Sequence, residues 1–204
     1  MKTLFNLSEE IPPDSREEQK RYFERVFGNA NPLVIEIGSG NGHFLVELAV
    51  QNPGLNYIGT EMLGGRAKKF NRKVEKRNLH NILIFKGDAR RFVWEFLYDE
   101  TIVKFLLMFP DPWPKKRHHK HRLLRSAFIE MLRRRLVHGG LVCITTDDAP
   151  YRDWIIDEFG KCRGFESLHE KGYTLYTGHF PESLFEKRFR EEERQLYLME
   201  FEKE

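Results

Sequence analysis

Residues 33–42 read Leu33-Val34-Ile35-Glu36-Ile37-Gly38-Ser39-Gly40-Asn41-Gly42. Five residues, four of them apolar, run into a turn with glycine at every second position. A run that is apolar on both parities belongs to a strand covered on both faces, as in a parallel sheet. The glycines mark a tight turn, and the apolar periodicity that follows predicts a helix over His43–Gln51. Working outward, the same pattern recurs. Strands are expected at residues 56–60, 82–86, 103–108 and 140–146, with helices at 63–77, 90–98, 123–136 and 151–159. One further strand within 165–177 and a last one at 194–201 bring the expected total to seven. Alternation of this kind predicts an α/β fold, Rossmann-like, with a seven-stranded, mostly parallel sheet and helices on both faces. Asp14 or Ser15 is placed to cap a helix reaching Phe27. Residues 1–31 thus form an N-terminal extension with a helix, and 32–204 a single core domain.

The totals exclude several classes. A chain of 204 residues suffices for one such domain. No apolar run approaches the roughly 18 residues of a membrane span, and the N-terminus shows no signal-peptide core. Cys143 and Cys162 form no metal-ligand pair, and two cysteines without a leader suit a reducing cytoplasm. Net charge is only +3, so the clustering of cations says more than their sum.

Right-handed crossovers put every parallel strand's C-terminal end on one rim, where ligands of such sheets bind. Residues 38–42, Glu61, Asp88, Asp111 and Asp147 each follow a strand end. A dinucleotide fingerprint would place its third glycine at His43 and not at Gly42. Glu36, two residues before Gly38, suits a ligand with cationic groups and would repel a pyrophosphate. S-adenosylmethionine, with an ammonium and a sulfonium, fits that requirement. Glu61 stands where an acid accepts ribose hydroxyls. Asp88 is placed either to cap the helix that follows or to accept from an adenine amino group, with the Ala89 amide against the ring.

Residues 105–125 carry the second signal. An apolar strand ends in Phe109-Pro110-Asp111-Pro112-Trp113-Pro114-Lys115-Lys116-Arg117-His118-His119-Lys120. From 115 to 125 there are six Lys or Arg, three His and no acid. Unopposed basic runs mark nucleic-acid patches, so Lys115, Lys116, Arg117, Lys120, Arg122 and Arg125 are candidates to hold phosphates. His118 is the histidine best placed to join them. The three histidines lack the partners of a zinc site, and no metal is expected. Trp113 is placed either to stack on a base or to pack beneath the loop. The cations of the 63–77 helix circle it and read as a solvated face, with a secondary RNA contact as the alternative.

Together these segments resemble class I S-adenosylmethionine-dependent methyltransferases. The segment 109–120, Thr146-Asp147 and Pro181-Glu182-Ser183-Leu184-Phe185-Glu186 narrow the resemblance to the bacterial tRNA (guanine-N7)-methyltransferase family, over about residues 33–201. The resemblance implies a catalytic core at 32–204. It implies a cofactor site of Glu36, Gly38, Gly40, Glu61, Asp88, Ala89 and Asp111, with Asp111 also at the reaction centre. It implies substrate contacts by Lys115, Arg117, His118, Arg122, Asp147, Ser183, Phe185 and Glu186. Two departures stand out. His121 occupies a position where the family usually has Arg, and Ser183-Leu184 replaces Thr-Lys.

Guanine N7 has a lone pair and no proton, so methylation there needs placement more than a base. Asp111 is therefore expected to position the base and stabilise the positive charge that develops on it. The expected partner is tRNA, with no membrane, and the chain is expected to act as a monomer in the cytoplasm, with a dimer as the alternative. The competing readings are a class I methyltransferase with another acceptor and a non-catalytic RNA-binding module. A nicotinamide-dependent dehydrogenase is disfavoured by the glycine spacing.

Overall fold

The computed structural model describes residues 2–178, 180–182 and 184–204. Its sheet contains nine strands among these residues, in the spatial order β1-β4-β3-β2-β5-β6-β9-β7, with β8 also on β9. In chain order the elements are β1 (Leu4–Asn6), α1 (Arg16–Phe27), β2 (Leu33–Ile37), α2 (His43–Gln51), β3 (Asn56–Glu61), α3 (Gly64–Lys76), β4 (Ile82–Lys86) and α4 (Ala89–Arg91). There follow β5 (Ile102–Met108), α5 (Ser126–Arg135), β6 (Leu136–Thr146), α6 (Ala149–Gly160), β7 (Phe165–Ser167), β8 (Thr174–Leu175), α7 (Leu184–Glu191) and β9 (Tyr197–Lys203). β1 to β6 pair in parallel, and β9 runs antiparallel against β6, β7 and β8.

The α/β class and mostly parallel sheet agree with expectation, but nine strands replace seven. The segment 165–177 holds two short strands, and β1 adds an edge beside β4 with Leu4 opposite Ile84. Strands of two or three residues are too short for alternation to reveal. The helix expected at 90–98 is one turn of α-helix continuing as a π-helix over Phe92–Phe96. Buried Arg135 donates to the carbonyls of Val93 and Trp94 there. β6 begins at Leu136 and not at residue 140, because Gly139 adopts a left-handed φ of 72° and the register with β5 shifts instead of ending.

β2 and β3 are buried along their whole length, and the period of two divides their side chains between two cores. Leu33, Ile35 and Ile37 face one core with Phe23, Phe27, Phe128 and Tyr151. Val34 faces the other, with Phe44, Leu45 and Phe70 of α2 and α3. Glu36 shares the parity of Val34, so this acid points toward the α2 and α3 side. Ser15 caps α1 by accepting from the Glu18 amide at 3.2 Å. Among the described residues, no helix is long and apolar enough to cross a membrane.

Candidate active site and nucleic-acid interface

Strand order reverses between β2 and β5, the position at which open α/β sheets bind ligands. The glycine turn leaves β2 and the Pro-Asp-Pro-Trp loop leaves β5, so the two sequence signals follow neighbouring strand ends. A cleft of about 220 Å³ opens beside the glycine turn; Met108 at the end of β5 lines it, whereas Glu61, Asp88, Ala89 and Asp111 do not. Its walls include Glu36, Gly38, Ser39, Gly40, Phe44, Met108 and Phe185.

The turn is built by backbone. Gly38, Gly40 and Gly42 all take positive φ, at 80°, 57° and 70°. The amides of Gly38 and Ser39 both donate to the Thr60 carbonyl, at 3.0 and 2.9 Å, tying the turn to β3. A Cβ on Gly42 would lie 1.9 Å from Phe70 Cδ2, so only glycine lets α3 approach. Gly38 and Gly40 have nothing within 4 Å where a Cβ would be, leaving open space over the turn for a ligand.

Glu36 is buried, and its Oε2 has no hydrogen-bond partner among the described residues. Burial pushes its pKa up to about 7; the Ser39 hydroxyl pulls it partway back, and nearby Glu61 adds repulsion. An orphaned buried carboxylate oxygen on a cleft wall calls for a cationic donor. The residues present therefore fit a ligand with an ammonium group.

Glu61 is buried at the end of β3, and its Oε1 accepts from the Leu63 amide at 2.7 Å. The Glu61 carbonyl accepts from the Gly87 amide at 3.0 Å, which brings the start of α4 alongside. Asp88 caps that helix, accepting from the Arg90 amide at 2.8 Å, and pairs with the Arg90 guanidinium at 3.2 Å. The capping role is thus realised. Ala89 forms the first position of α4.

The loop after β5 is bounded by two non-glycine residues with positive φ, Phe109 at 53° and Trp113 at 45°. Such conformations are uncommon for bulky side chains and persist only where neighbours hold them. The Phe109 amide donates to the Thr145 carbonyl and hydroxyl. Its ring meets Phe189 of α7 edge-on at 5.3 Å. Asp111 is exposed, and its Oδ1 accepts from the Trp113 amide at 3.0 Å, closing an Asx turn.

The basic arm folds as a 3-10 segment over Lys116–His121. Lys115, Lys116, Arg117 and Lys120 are exposed, and none of them makes an ion pair among the described residues. Trp113 is half-buried. Its ring meets His118 edge-on at 5.9 Å and His121 at 5.1 Å, clamping the arm against the loop. His121 thus anchors the arm. Arg117 Nε donates to His118 Nε2 at 3.3 Å.

Arg122 corrects the expectation of a phosphate-gripping residue. It is only 5% exposed. Its guanidinium lies over the rings of Tyr151 and Trp154, at 4.9 and 4.8 Å from their centres. Spacing in a basic run could not distinguish this buried cation from its exposed neighbours.

Among the remaining candidates, Asp147 Oδ2 accepts from the Arg194 guanidinium at 2.5 Å. Ser183 lies outside the described residues. Phe185 is exposed and lines the cleft. Glu186 is buried, and its Oε1 accepts two bonds from Arg190, at 2.9 and 2.8 Å. α7 therefore brings a substrate candidate against the cofactor candidates. The sequence reading missed Arg66 and Lys69, which also line the cleft. Their three-residue spacing, flanking the buried stripe of Ala67 and Phe70, is the signal that would have found them. Among the described residues there is no group of three or more His, Cys, Asp or Glu able to hold a metal ion.

Comparison with known proteins bears on this geometry. A family model described as "Putative methyltransferase" matches residues 30–199. The chain is 34% identical over 179 residues to a tRNA (guanine-N(7)-)-methyltransferase of Chlamydia abortus, covering 88% of this chain and 80% of that protein. It is also 34% identical over 167 residues to one from Syntrophotalea carbinolica, covering 82% and 72%. Among solved structures, it superposes on the antibiotic-resistance methyltransferase Kmr with TM-score 0.62 at 19% identity, covering 90% and 92% of the two chains. TrmN from Thermus thermophilus gives 0.60 at 16% identity, covering 91% and 48%. At such identities these two structures speak to the fold.

Proposed function

The chain belongs to the tRNA (guanine-N(7)-)-methyltransferase family, and from that premise we propose how its cleft and loop divide the reaction. A methyl group passes to N7 of a guanine in the variable loop of tRNA, forming 7-methylguanosine. S-adenosylmethionine, held in the cleft, supplies the electrophilic methyl.

The observation that carries this reading is an adjacency at the point where strand order reverses. A pocket with an orphaned acid leaves β2, and a carboxylate loop with an unpaired cation arm leaves β5. Glu36 Oε2 accepts from the donor's ammonium, and the open backbone of Gly38 and Gly40 lets the ligand lie close. Glu61 takes ribose hydroxyls. Asp88, already a helix cap, and Ala89 border the adenine.

Asp111 faces the base to be methylated. N7 has no proton to surrender, so Asp111 orients the purine and stabilises the positive charge that grows on it. Lys115, Arg117 and His118 hold the RNA backbone beside it. Phe185 and Ser183 border the guanine, and Glu186 and Asp147 stand near its edge. A stacked guanine must leave the helix stack to reach the cleft. The protein acts as a monomer in the cytoplasm. The Cys143 thiol, pushed up to about 12 by burial, is protonated at neutral pH and is no nucleophile.

The test uses S-adenosylmethionine labelled in its methyl group and an unmodified tRNA. The label should appear in 7-methylguanosine, and aniline should then cleave the reduced RNA in the variable loop. Label in another nucleoside, or cleavage elsewhere, would refute the assignment.

A further inference from the structure

We propose that Arg66 and Lys69 hold the carboxylate at the amino-acid end of the methyl donor, so that the cleft grips a zwitterion by both charges. The inference rests on the reading of the cleft as the donor site. Both residues line that cleft, as Glu36 does. They stand three apart on α3, hence on one face, beside the buried stripe of Ala67, Phe70 and Val74. Both are exposed, and neither makes an ion pair among the described residues. Arg77, just past the end of the same helix, is instead paired with Glu47 at 2.6 Å. Two unpaired cations and one orphaned carboxylate oxygen thus line the same cleft.

The backbone of the turn supports the same assignment. A loop that binds an anion points its amides into the site. Here the Gly38 and Ser39 amides donate to the Thr60 carbonyl, and the Gly42 amide to the Ser39 carbonyl at 2.8 Å. Three of the five amides in the turn are therefore committed within the protein. A carboxylate lying over this turn needs side-chain cations for neutralisation. Glu36 meets the ammonium, and Arg66 and Lys69 meet the carboxylate. The rival occupant with the same oxyanion chemistry is an RNA phosphate.

Calorimetry separates the two. S-adenosylhomocysteine keeps both charges of the amino-acid end, and its decarboxylated form keeps only the ammonium. Each is titrated into the wild type and into a double variant, Arg66→Gln with Lys69→Gln. Thermal melting checks that the variant is folded. The wild type should bind S-adenosylhomocysteine; failure there would remove the donor-site reading itself. The double variant should lose roughly tenfold or more in that affinity, about 1.4 kcal/mol. Its affinity for the decarboxylated ligand should change less than about twofold. Equal losses for both ligands, or no loss for either, would overturn the proposal. Unchanged S-adenosylhomocysteine binding with weaker, less salt-dependent tRNA binding would overturn it too, by assigning the cations to RNA phosphate.

Discussion

Arg122 Nε donates to the Pro112 carbonyl at 2.9 Å, fastening the Pro-Asp-Pro-Trp loop to α6 through a buried guanidinium. The cation sits over Tyr151 and Trp154 and is satisfied by the loop beside Asp111. Arg122→Ala should therefore destabilise the fold by about 2–4 kcal/mol, from the lost charged hydrogen bond and ring contacts. Urea unfolding measures this. The salt dependence of tRNA binding should keep its slope, because Arg122 releases no phosphate counterion.

The exposed cations should behave in the opposite way. Lys115→Ala and Arg117→Ala should leave thermal stability within about 0.5 kcal/mol of wild type. Each should lower the slope of log K against log salt by about one. Thermal melting reads the first number, and a filter-binding series between low and moderate salt reads the second. Slopes unchanged in both variants would remove the arm from the RNA interface.

The contrast between Arg122 and Lys115 shows where the sequence was legible. β2, α2 and β4 fall where their apolar periods place them, because burial on fixed faces is written into residue type. The rim also followed, since Glu61, Asp88, Asp111 and Asp147 stand at or just past strand ends, whereas Glu186 lies in α7. What a cation faces was not legible. Arg122 and Lys115 sit seven residues apart in one basic run, yet tertiary packing buries one and exposes the other. Arg66 and Lys69 read as solvated because the cleft wall they border is completed by the turn after β2. Trp113 found histidine partners, which neither sequence alternative contained.

Glu36 predicts a pH signature. Its carboxyl titrates near 7 in the folded protein against an ordinary 4.5, a rise caused first by burial. Its contribution to stability is then intact below about 4.5 and is lost as pH rises through about 7. Glu36→Gln removes the buried charge. Without ligand, the variant should gain stability relative to wild type at pH 8, by up to about 3 kcal/mol, and the gap should close toward pH 5. Chemical denaturation at the two values decides it; a variant no more stable than wild type at pH 8 would show that Glu36 is not a stored cost of the donor site.

Asp111 separates positioning from docking. Asp111→Asn keeps an oxygen able to accept from the Trp113 amide at the position of Oδ1, so the loop should hold. The charge that stabilises the methylated purine is gone. Single-turnover rates should fall on the order of 10²-fold or more, with tRNA affinity within about twofold of wild type. A variant that binds tRNA weakly but reacts at full rate when saturated would make Asp111 a docking residue.

The central claim is that the acceptor atom is N7 of one variable-loop guanine, presented to the donor cleft by the loop after β5. It is tested most directly with a tRNA in which that guanosine alone is replaced by 7-deazaguanosine, carrying carbon in place of N7. Labelled methyl transfer is measured beside the unsubstituted tRNA, with binding of both checked by competition. The account predicts equal binding and no transfer to the substituted RNA. Transfer at the unsubstituted rate would contradict it.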